Sequence, residues 1–163
     1  MSQSLKHEEL FYQADLDIKD GLFEKAVHKL ESIVSENPRF GKAYNHLGWL
    51  YETKFKNYNL AERYYNLALE NAPNYTAAYT NYAILLSTLQ KFDELKVHLE
   101  KALDVPGIGK ATIYNEYGIM YEQLGEFEKA IQYYKDCAKM TLNKDTMNRA
   151  LDSVERCKVK LDL

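Results

Sequence analysis

The sequence predicts an all-α solenoid built from four antiparallel helix pairs and closed by one further helix. Three observations predict it: aromatic residues recur at a nearly constant interval, small residues recur at the same interval, and only 3 of the 163 residues are proline. The aromatic markers are Phe23, Tyr58, Phe92 and Phe127, separated by 35, 34 and 35 residues. A period of about 20–50 residues is typical of repeat architectures, in which each unit buries its apolar face against the next.

A set of small residues precedes the aromatic markers with the same period. It comprises Ala14, Gly48, Ala83 and Gly118. Antiparallel helices need small side chains where their backbones approach most closely, while Tyr and Leu on neighbouring turns fill the wider gaps. The pattern therefore predicts that each repeat is a helical hairpin and that most of its tyrosines pack in the core.

Together these markers resemble the tetratricopeptide repeat, whose 34-residue unit has a W-x-x-L-G-x-x-Y first helix, an A-x-x-x-F second helix and a closing proline. Residues 44–51 and 114–121 are close copies of the first-helix signature, and prolines close three units at Pro38, Pro73 and Pro106. The resemblance implies a right-handed superhelix of stacked helix pairs.

The markers divide the chain into four units, which we expect to form one domain over residues 1–163. The units are predicted at about 7–40, 41–75, 76–110 and 111–144. The first unit is the most degenerate, because Gln13 and Asp17 stand where the family prefers apolar residues. Such degeneracy is typical of a terminal repeat whose outer face has no neighbour.

Irregular steps between the markers locate two insertions. One extra residue between Tyr51 and Tyr58 predicts a longer turn inside the second unit. Another falls in Val105-Pro-Gly-Ile-Gly109, where proline and glycine oppose helix continuation. We expect this second connection to be the loosest of the chain.

After residue 144 the repeat stops, because Asp152 and Glu155 would occupy the glycine and aromatic positions of a fifth unit. A single capping helix over about 145–163 is predicted instead. Its apolar stripe is predicted to comprise Met147, Ala150, Leu151, Val154, Cys157 and Leu161. The side chains expected to turn outward are Arg149, Glu155, Arg156 and Lys160.

Composition argues against several classes of partner. The formal net charge of -3 lacks the excess of Lys and Arg that nucleic-acid binding requires. No secretory signal opens the sequence, and no stretch approaches about 18 uncharged apolar residues. We therefore expect no nucleic-acid partner, no membrane partner and a cytoplasmic location.

No constellation of residues predicts an enzyme, a cofactor or a metal site. Gly107-Ile-Gly-Lys110 resembles the end of a phosphate-binding loop but lacks the other residues of that motif. The four histidines lie in different units and are expected on the solvated surface. Cys137 replaces a small packing residue, so an inert buried thiol is favoured, with redox sensing as the alternative.

The resemblance implies a concave groove lined by the second, fifth, ninth and twelfth positions of each first helix. Transferred to this sequence, with the neighbouring Asn81, the predicted groove residues are Glu8, Phe11, Asp15, Ile18, Lys42, Asn45, Trp49, Glu52, Ala77, Thr80, Asn81, Ile84, Ser87, Thr112, Asn115, Ile119 and Glu122. Apolar side chains on a face left to solvent mark an interaction site. The alternative, that they lean into the core of a partly closed groove, stays open.

Asparagine recurs along this predicted groove at Asn45, Asn81 and Asn115. Each amide offers two N–H donors and one acceptor, so such a series is suited to holding the backbone of an extended peptide. Ordinary surface asparagine is an equally good interpretation.

The leading hypothesis is a non-enzymatic adaptor or scaffold that binds a peptide or a partner protein in the groove. The alternative is homo-oligomeric assembly through the terminal repeats, with Phe11 and Tyr12 near the open edge of the first unit. The family's Hsp70/Hsp90 co-chaperones grip a carboxylate with Lys, Arg and Asn. In the two possible alignments those positions hold Phe11, Asp15, His46, Ala77 and Asn81, or Asn45, Trp49, Asn81, Thr112 and Glu116. Only Asn81 in the second alignment fits, so no binding to chaperone tails is expected.

Overall fold

The computed structural model describes residues 3–163, which form nine helices and, within that range, no strand. The helices are α1 (Gln3–Lys19), α2 (Phe23–Glu36), α3 (Gly41–Thr53), α4 (Tyr58–Asn71), α5 (Thr76–Thr88), α6 (Phe92–Leu103), α7 (Lys110–Gln123), α8 (Phe127–Met140) and α9 (Lys144–Leu161). The predicted all-α class and the number of helices are confirmed for these residues.

The chain divides into two compact units between Leu85 and Leu86. The N-terminal unit contains α1 to α4 and most of α5, and the C-terminal unit contains the end of α5 and α6 to α9.

In the N-terminal unit, α2 packs on α1 and α3, and α3 packs on α4. The core between these helices is almost entirely aliphatic; its fully buried members include Ala14, Leu30, Ile33, Leu47, Leu50 and Ala68. The turn between α3 and α4 covers residues 54–57, one residue more than the turn 20–22 between α1 and α2. The longer turn predicted in the second unit is therefore confirmed. Its last residue, Asn57, caps α4 by accepting a hydrogen bond from the Leu60 backbone N–H at 3.1 Å.

In the C-terminal unit, α7 packs on α6 and α8, and α8 packs on α9. The connection over residues 104–109 has six residues and is longer than the three-residue connection 141–143, as its proline and glycines predict. The capping helix α9 begins at Lys144, where Asn143 accepts a hydrogen bond from the Thr146 backbone N–H at 2.9 Å.

The buried stripe of α9 is narrower than predicted. Ala150, Val154 and Cys157 are buried, but Met147, Leu151 and Leu161 are 36%, 45% and 41% exposed. The predicted inclusion of these three residues is wrong, because α9 contacts its neighbour along one narrow face only. The apolar spacing located the helix but overestimated how much of its surface is covered.

Two glycines allow close approaches between paired helices, as the small-residue pattern predicts. A Cβ atom added at Gly48 would lie 2.7 Å from the Tyr65 ring, and one added at Gly118 would lie 2.6 Å from the Tyr134 ring. Both rings are buried. The glycine on the first helix of each hairpin therefore makes room for the tyrosine on the second.

Stacked tyrosines fill the rest of both hairpins. The Tyr64 ring stacks on Tyr51 at a centroid distance of 5.6 Å, and the Tyr133 ring stacks on Tyr117 at 4.6 Å and on Tyr121 at 5.4 Å. Burial raises the pKa of the Tyr64 and Tyr133 hydroxyls. The abundance of tyrosine in this sequence is thus largely explained by packing.

Candidate functional site

A recess with a volume of about 300 Å³ opens in the N-terminal unit, which we call the N-terminal recess. It lies among side chains of the first helices α1, α3 and α5. Its lining residues are Asp15, Ile18, Asn45, His46, Trp49, Tyr75, Ala77 and Asn81. This volume is at the small end of ligand pockets and can admit one or two side chains of a larger partner.

Six residues predicted for the groove meet in this recess. Asp15 and Ile18 come from α1, Asn45 and Trp49 from α3, and Ala77 and Asn81 from α5. Because they come from three helices of successive repeats, the transfer of family positions along the chain explains their convergence. His46 and Tyr75 also line the recess and were not predicted as groove residues.

Trp49 is half-buried and packs against the core while one side faces the recess. The Lys54 ammonium lies 5.2 Å from the centroid of the Trp49 ring and 4.8 Å from that of Phe23. Such cation–π contacts hold an aromatic ring in place at modest energy. The indole is therefore an ordered apolar surface that is partly open to solvent.

A polar edge faces this apolar surface. His46 Nε2 lies 2.8 Å from Asp15 Oδ1, and His46 Nδ1 lies 3.1 Å from the Lys42 carbonyl oxygen. The ring of Phe11 meets the His46 ring edge-on at 4.6 Å. Both nitrogens of His46 are thus engaged, which fixes the ring and, through it, the Asp15 carboxylate. Burial and then the negative charge of Asp15 raise the pKa of Tyr75.

The asparagine side chains of the predicted series form hydrogen bonds within the protein. Asn81 Nδ2 donates to Asn45 Oδ1 at 3.1 Å, and Asn45 is buried. In the C-terminal unit, Asn115 Nδ2 lies 3.5 Å from the acceptor Oε1 of buried Glu116. The acceptor of Asn45 is therefore occupied, and half-buried Asn81, which also lines the recess, uses its Nδ2 in this bond.

The remaining groove candidates of the N-terminal unit lie in different environments. Phe11 is half-buried against Phe40, with ring centroids 5.4 Å apart. Glu8, Lys42 and Ile84 are exposed, and the Thr80 hydroxyl lies 3.5 Å from the Thr76 carbonyl oxygen.

Glu52 differs most from the expectation of a groove surface. It is buried, and its Oε2 accepts a hydrogen bond of 2.6 Å from the Tyr65 hydroxyl. Burial raises the pKa of this carboxyl, although the hydrogen bond and the charge of Lys56 oppose the shift. Glu52 therefore serves the interior of the α3–α4 hairpin.

A second recess of about 290 Å³ lies in the C-terminal unit, which we call the C-terminal recess. Its lining residues are Ile119, Glu122, Gln123, Tyr134, Arg156 and Lys160. Ile119 and Glu122 were predicted groove residues, whereas Thr112, also predicted, is exposed outside this recess. Ser87, predicted for the groove as well, is buried.

Glu122 is the centre of the C-terminal recess. It accepts hydrogen bonds of 2.8 Å from Arg156 Nε and Nη2, from Lys160 Nζ and from the Tyr134 hydroxyl. The Arg156 guanidinium, followed by Lys160 and Tyr134, holds the pKa of this carboxyl well below its usual range. Arg156 and Lys160 are exposed, as expected, but both reach from α9 to the carboxylate at the end of α7, a contact that the sequence did not predict.

Two histidines were wrongly expected on the solvated surface. His7 is 2% exposed, with its Nε2 3.1 Å from Glu36 Oε2, and His98 is 7% exposed. Pairing with a carboxylate permits His7 to be buried, which periodicity does not reveal. Cys137 and Cys157 are buried free thiols, and burial raises the pKa of each, which fits the inert role favoured for Cys137.

Among residues 3–163, no group of three or more His, Cys, Asp or Glu side chains is arranged to hold a metal ion. None of the helices in the described part of the chain is long and apolar enough to cross a membrane.

Two family models described as tetratricopeptide repeat match the chain, over residues 12–76 and 111–144, which together are more than half of its length. No curated protein matches it significantly. Similar solved structures include Pseudomonas aeruginosa PilF (TM-score 0.78, 16% identity, covering 96% of this chain and 73% of that chain). Another is a thermophilic TPR protein of Thermus thermophilus (TM-score 0.65, 20% identity, covering 96% of this chain and 82% of that chain). A third is MamA (TM-score 0.70, 16% identity, covering 96% of this chain and 92% of that chain). At these identities the likeness concerns the fold, a helical solenoid of the tetratricopeptide type.

Proposed function

The chain belongs to the tetratricopeptide-repeat family, a family of protein-interaction scaffolds, and we propose that it is a non-enzymatic adaptor whose N-terminal recess binds an extended peptide segment of a partner protein. The observation that carries this proposal is the convergence of Ile18, Trp49 and Asn81, from three successive first helices, on one recess. Repeat proteins use such surfaces for binding.

The lining of the recess suggests the chemistry of the peptide. Ile18 and the open side of Trp49 offer apolar surface for one aliphatic or aromatic side chain, and tryptophan is over-represented among residues that dominate binding energy. Asn81 and Asp15 stand beside this surface and can accept hydrogen bonds from peptide N–H groups. The apolar contact would supply affinity, and the polar edge would orient the backbone.

A free carboxylate is not the proposed ligand. The described residues that line the recess include the carboxylate of Asp15 and no lysine or arginine. A carboxylate ligand removed from water requires a cationic partner. We therefore expect no micromolar affinity for C-terminal chaperone tails, which isothermal titration calorimetry with such a peptide would check.

A peptide-display selection on the purified protein tests the proposal. Peptides enriched on the wild type are counter-selected on Trp49→Ala, and the affinity of each survivor is measured by calorimetry. We expect Trp49→Ala to weaken binding by at least about 2 kcal/mol, the usual hot-spot threshold. The matched control is Tyr12→Ala, since Tyr12 is an exposed aromatic residue on α1 outside the recess.

Equal affinity of every enriched peptide for wild type and Trp49→Ala would contradict binding in the recess. Loss of binding in Tyr12→Ala alone would move the interaction to the outer face of α1.

Self-assembly through the first repeat is a second candidate function. It is favoured by the side chains of Tyr12 and Leu16 on α1, which are 61% and 40% exposed. A terminal helix that only closes a repeat array would be expected to carry polar residues on this face.

A further inference from the structure

The first helix has two opposed apolar faces. One contains Ala14 and Ile18 and packs into the core of the N-terminal unit. The other contains Leu5, Tyr12 and Leu16, which are 60%, 61% and 40% exposed. At about 100° per residue, these three side chains lie within about 40° of one another and about 180–200° from Ala14. They form one stripe, which we call the outer stripe of α1.

We propose that the outer stripe of α1 is a dimer interface, on which α1 of a second copy of this chain packs antiparallel around a two-fold axis. In a two-fold contact, the same patch meets itself, so that residue i faces residue j and j faces i. When two identical helices pack antiparallel, the residue numbers of any two residues that face each other add up to the same value. The sequence of the stripe can therefore be tested for self-complementarity.

A sum of 28 pairs two apolar positions of the stripe with each other and sets an acidic position against a basic one. Tyr12 then faces Leu16 of the other copy, and Glu9 faces Lys19 of the other copy. With a rise of about 1.5 Å per residue, Tyr12 and Leu16 lie about 3 Å on either side of the axis, and Glu9 and Lys19 about 7.5 Å on either side. Each contact occurs twice, giving two apolar pairs flanked by two opposite-charge pairs.

Glu9 and Lys19 are exposed, and neither has an ion-pair partner within residues 3–163. Both are therefore available for pairing between copies.

The contact is small, which sets the expected affinity. One helix per copy, with two apolar side chains at its centre, buries less than the roughly 1,200 Å² of total area at which stable interfaces begin. We expect a dissociation constant in the range of about 10–1,000 µM. The dimer would then form only at high local concentration.

Sedimentation equilibrium from about 1 µM to about 1 mM protein tests the proposal. Wild type should pass from monomer to dimer and no further, and Tyr12→Ser should remain a monomer throughout. Glu9→Lys and Lys19→Glu should each raise the dissociation constant about tenfold, because each places like charges together at both symmetry-related positions. The double variant Glu9→Lys with Lys19→Glu should restore the wild-type constant within about threefold, because the opposite charges again face each other.

Glu128→Lys, at an exposed position on α8, is the matched charge control and should leave the constant unchanged. Because all substituted residues are exposed, circular dichroism and the melting curve should match those of the wild type. A monomer at every concentration would overturn the proposal. So would a dimer indifferent to Tyr12→Ser, or single variants that weaken association without rescue in the double variant.

Discussion

The α3–α4 and α7–α8 hairpins carry the same three residue types at corresponding positions, but the pKa of the glutamate is shifted in opposite directions in the two hairpins. In each, a glycine makes room for a buried tyrosine whose hydroxyl donates to a glutamate: Tyr65 to Glu52 at 2.6 Å, and Tyr134 to Glu122 at 2.8 Å. Burial raises the pKa of Glu52, whereas Arg156 and the other donors lower the pKa of Glu122.

The difference comes from what surrounds each hairpin. Glu122 faces Arg156 and Lys160 of the capping helix, which neutralise its charge. Among the described residues, the one charged side chain that lowers the pKa of Glu52 is Lys56, and it does not outweigh desolvation. A repeat therefore fixes the geometry of its tyrosine–glutamate pair, while the neighbouring helix decides whether the carboxylate stabilises the fold.

Removal of α9 should have the largest effect on the stability difference between the two hairpins. Truncation after Lys144 would expose Tyr134 and Cys137, now buried, and remove Val154 and Cys157 from the core. Since each large buried side chain contributes about 1.5–3 kcal/mol, we expect a loss of at least about 3 kcal/mol or aggregation. Urea unfolding, monitored by circular dichroism, measures this loss of stability. An unchanged midpoint would mean that α9 is a tail rather than a cap.

Substitution of the hairpin glycines tests the shared part of the geometry. Gly48→Ala and Gly118→Ala each place a methyl group within 3 Å of a tyrosine ring. Overpacking of this kind costs about 1–3 kcal/mol, and we expect the two losses to agree within about 1 kcal/mol. Melting curves of the two variants provide the comparison, with Gly109→Ala as the control, since Gly109 has a negative φ of -73° and an added Cβ would meet no atom closer than 3.5 Å. A large loss at one glycine only would contradict equivalent packing.

Replacement of the two glutamates by neutral glutamine should change stability least, and the two changes should differ in sign. Glu122→Gln removes the charge that pairs with Arg156 and Lys160, and we expect a loss of about 1–2 kcal/mol, since both cations are partly exposed. Glu52→Gln keeps an acceptor for Tyr65 and removes a desolvated charge, so stability at neutral pH should be unchanged or higher. Unfolding free energies at pH 7 distinguish the two signs.

The pH dependence gives the same contrast independently. The lowered pKa of Glu122 provides stability that is present above about pH 4.5 and is lost as the pH falls through the folded value. The raised pKa of Glu52 favours the protonated carboxyl, so its contribution is present below about pH 4.5 and is lost as the pH rises. The deficit of Glu122→Gln should therefore shrink on acidification. A deficit of equal size at pH 3 and pH 7 would contradict this assignment.

The repeat geometry was predictable from sequence because it depends on local spacing. Gly48 and Gly118 indicated the close helix contacts, and the displaced marker at Tyr58 located the longer turn at residues 54–57. Loops and hairpins follow from such short-range patterns.

The electrostatics of the sites was less predictable, because it depends on residues far apart in sequence. Arg156 reaches Glu122 across 34 positions, and His7 reaches Glu36 across 29. Periodicity assigns such polar side chains to the surface, and only the packing of neighbouring helices brings the partners together. One usable signal was present: Arg156 and Lys160 flank the buried Cys157 on α9.

The most direct test of the proposed peptide site is the fluorescence of Trp49, the only tryptophan. In the free protein, acrylamide should quench it partly, because the indole is half-buried. Addition of a display-selected peptide should shift the emission to the blue and reduce the quenching, with the same midpoint as the calorimetric titration. A peptide that binds by calorimetry while the emission and quenching of Trp49 stay constant would contradict binding in the N-terminal recess.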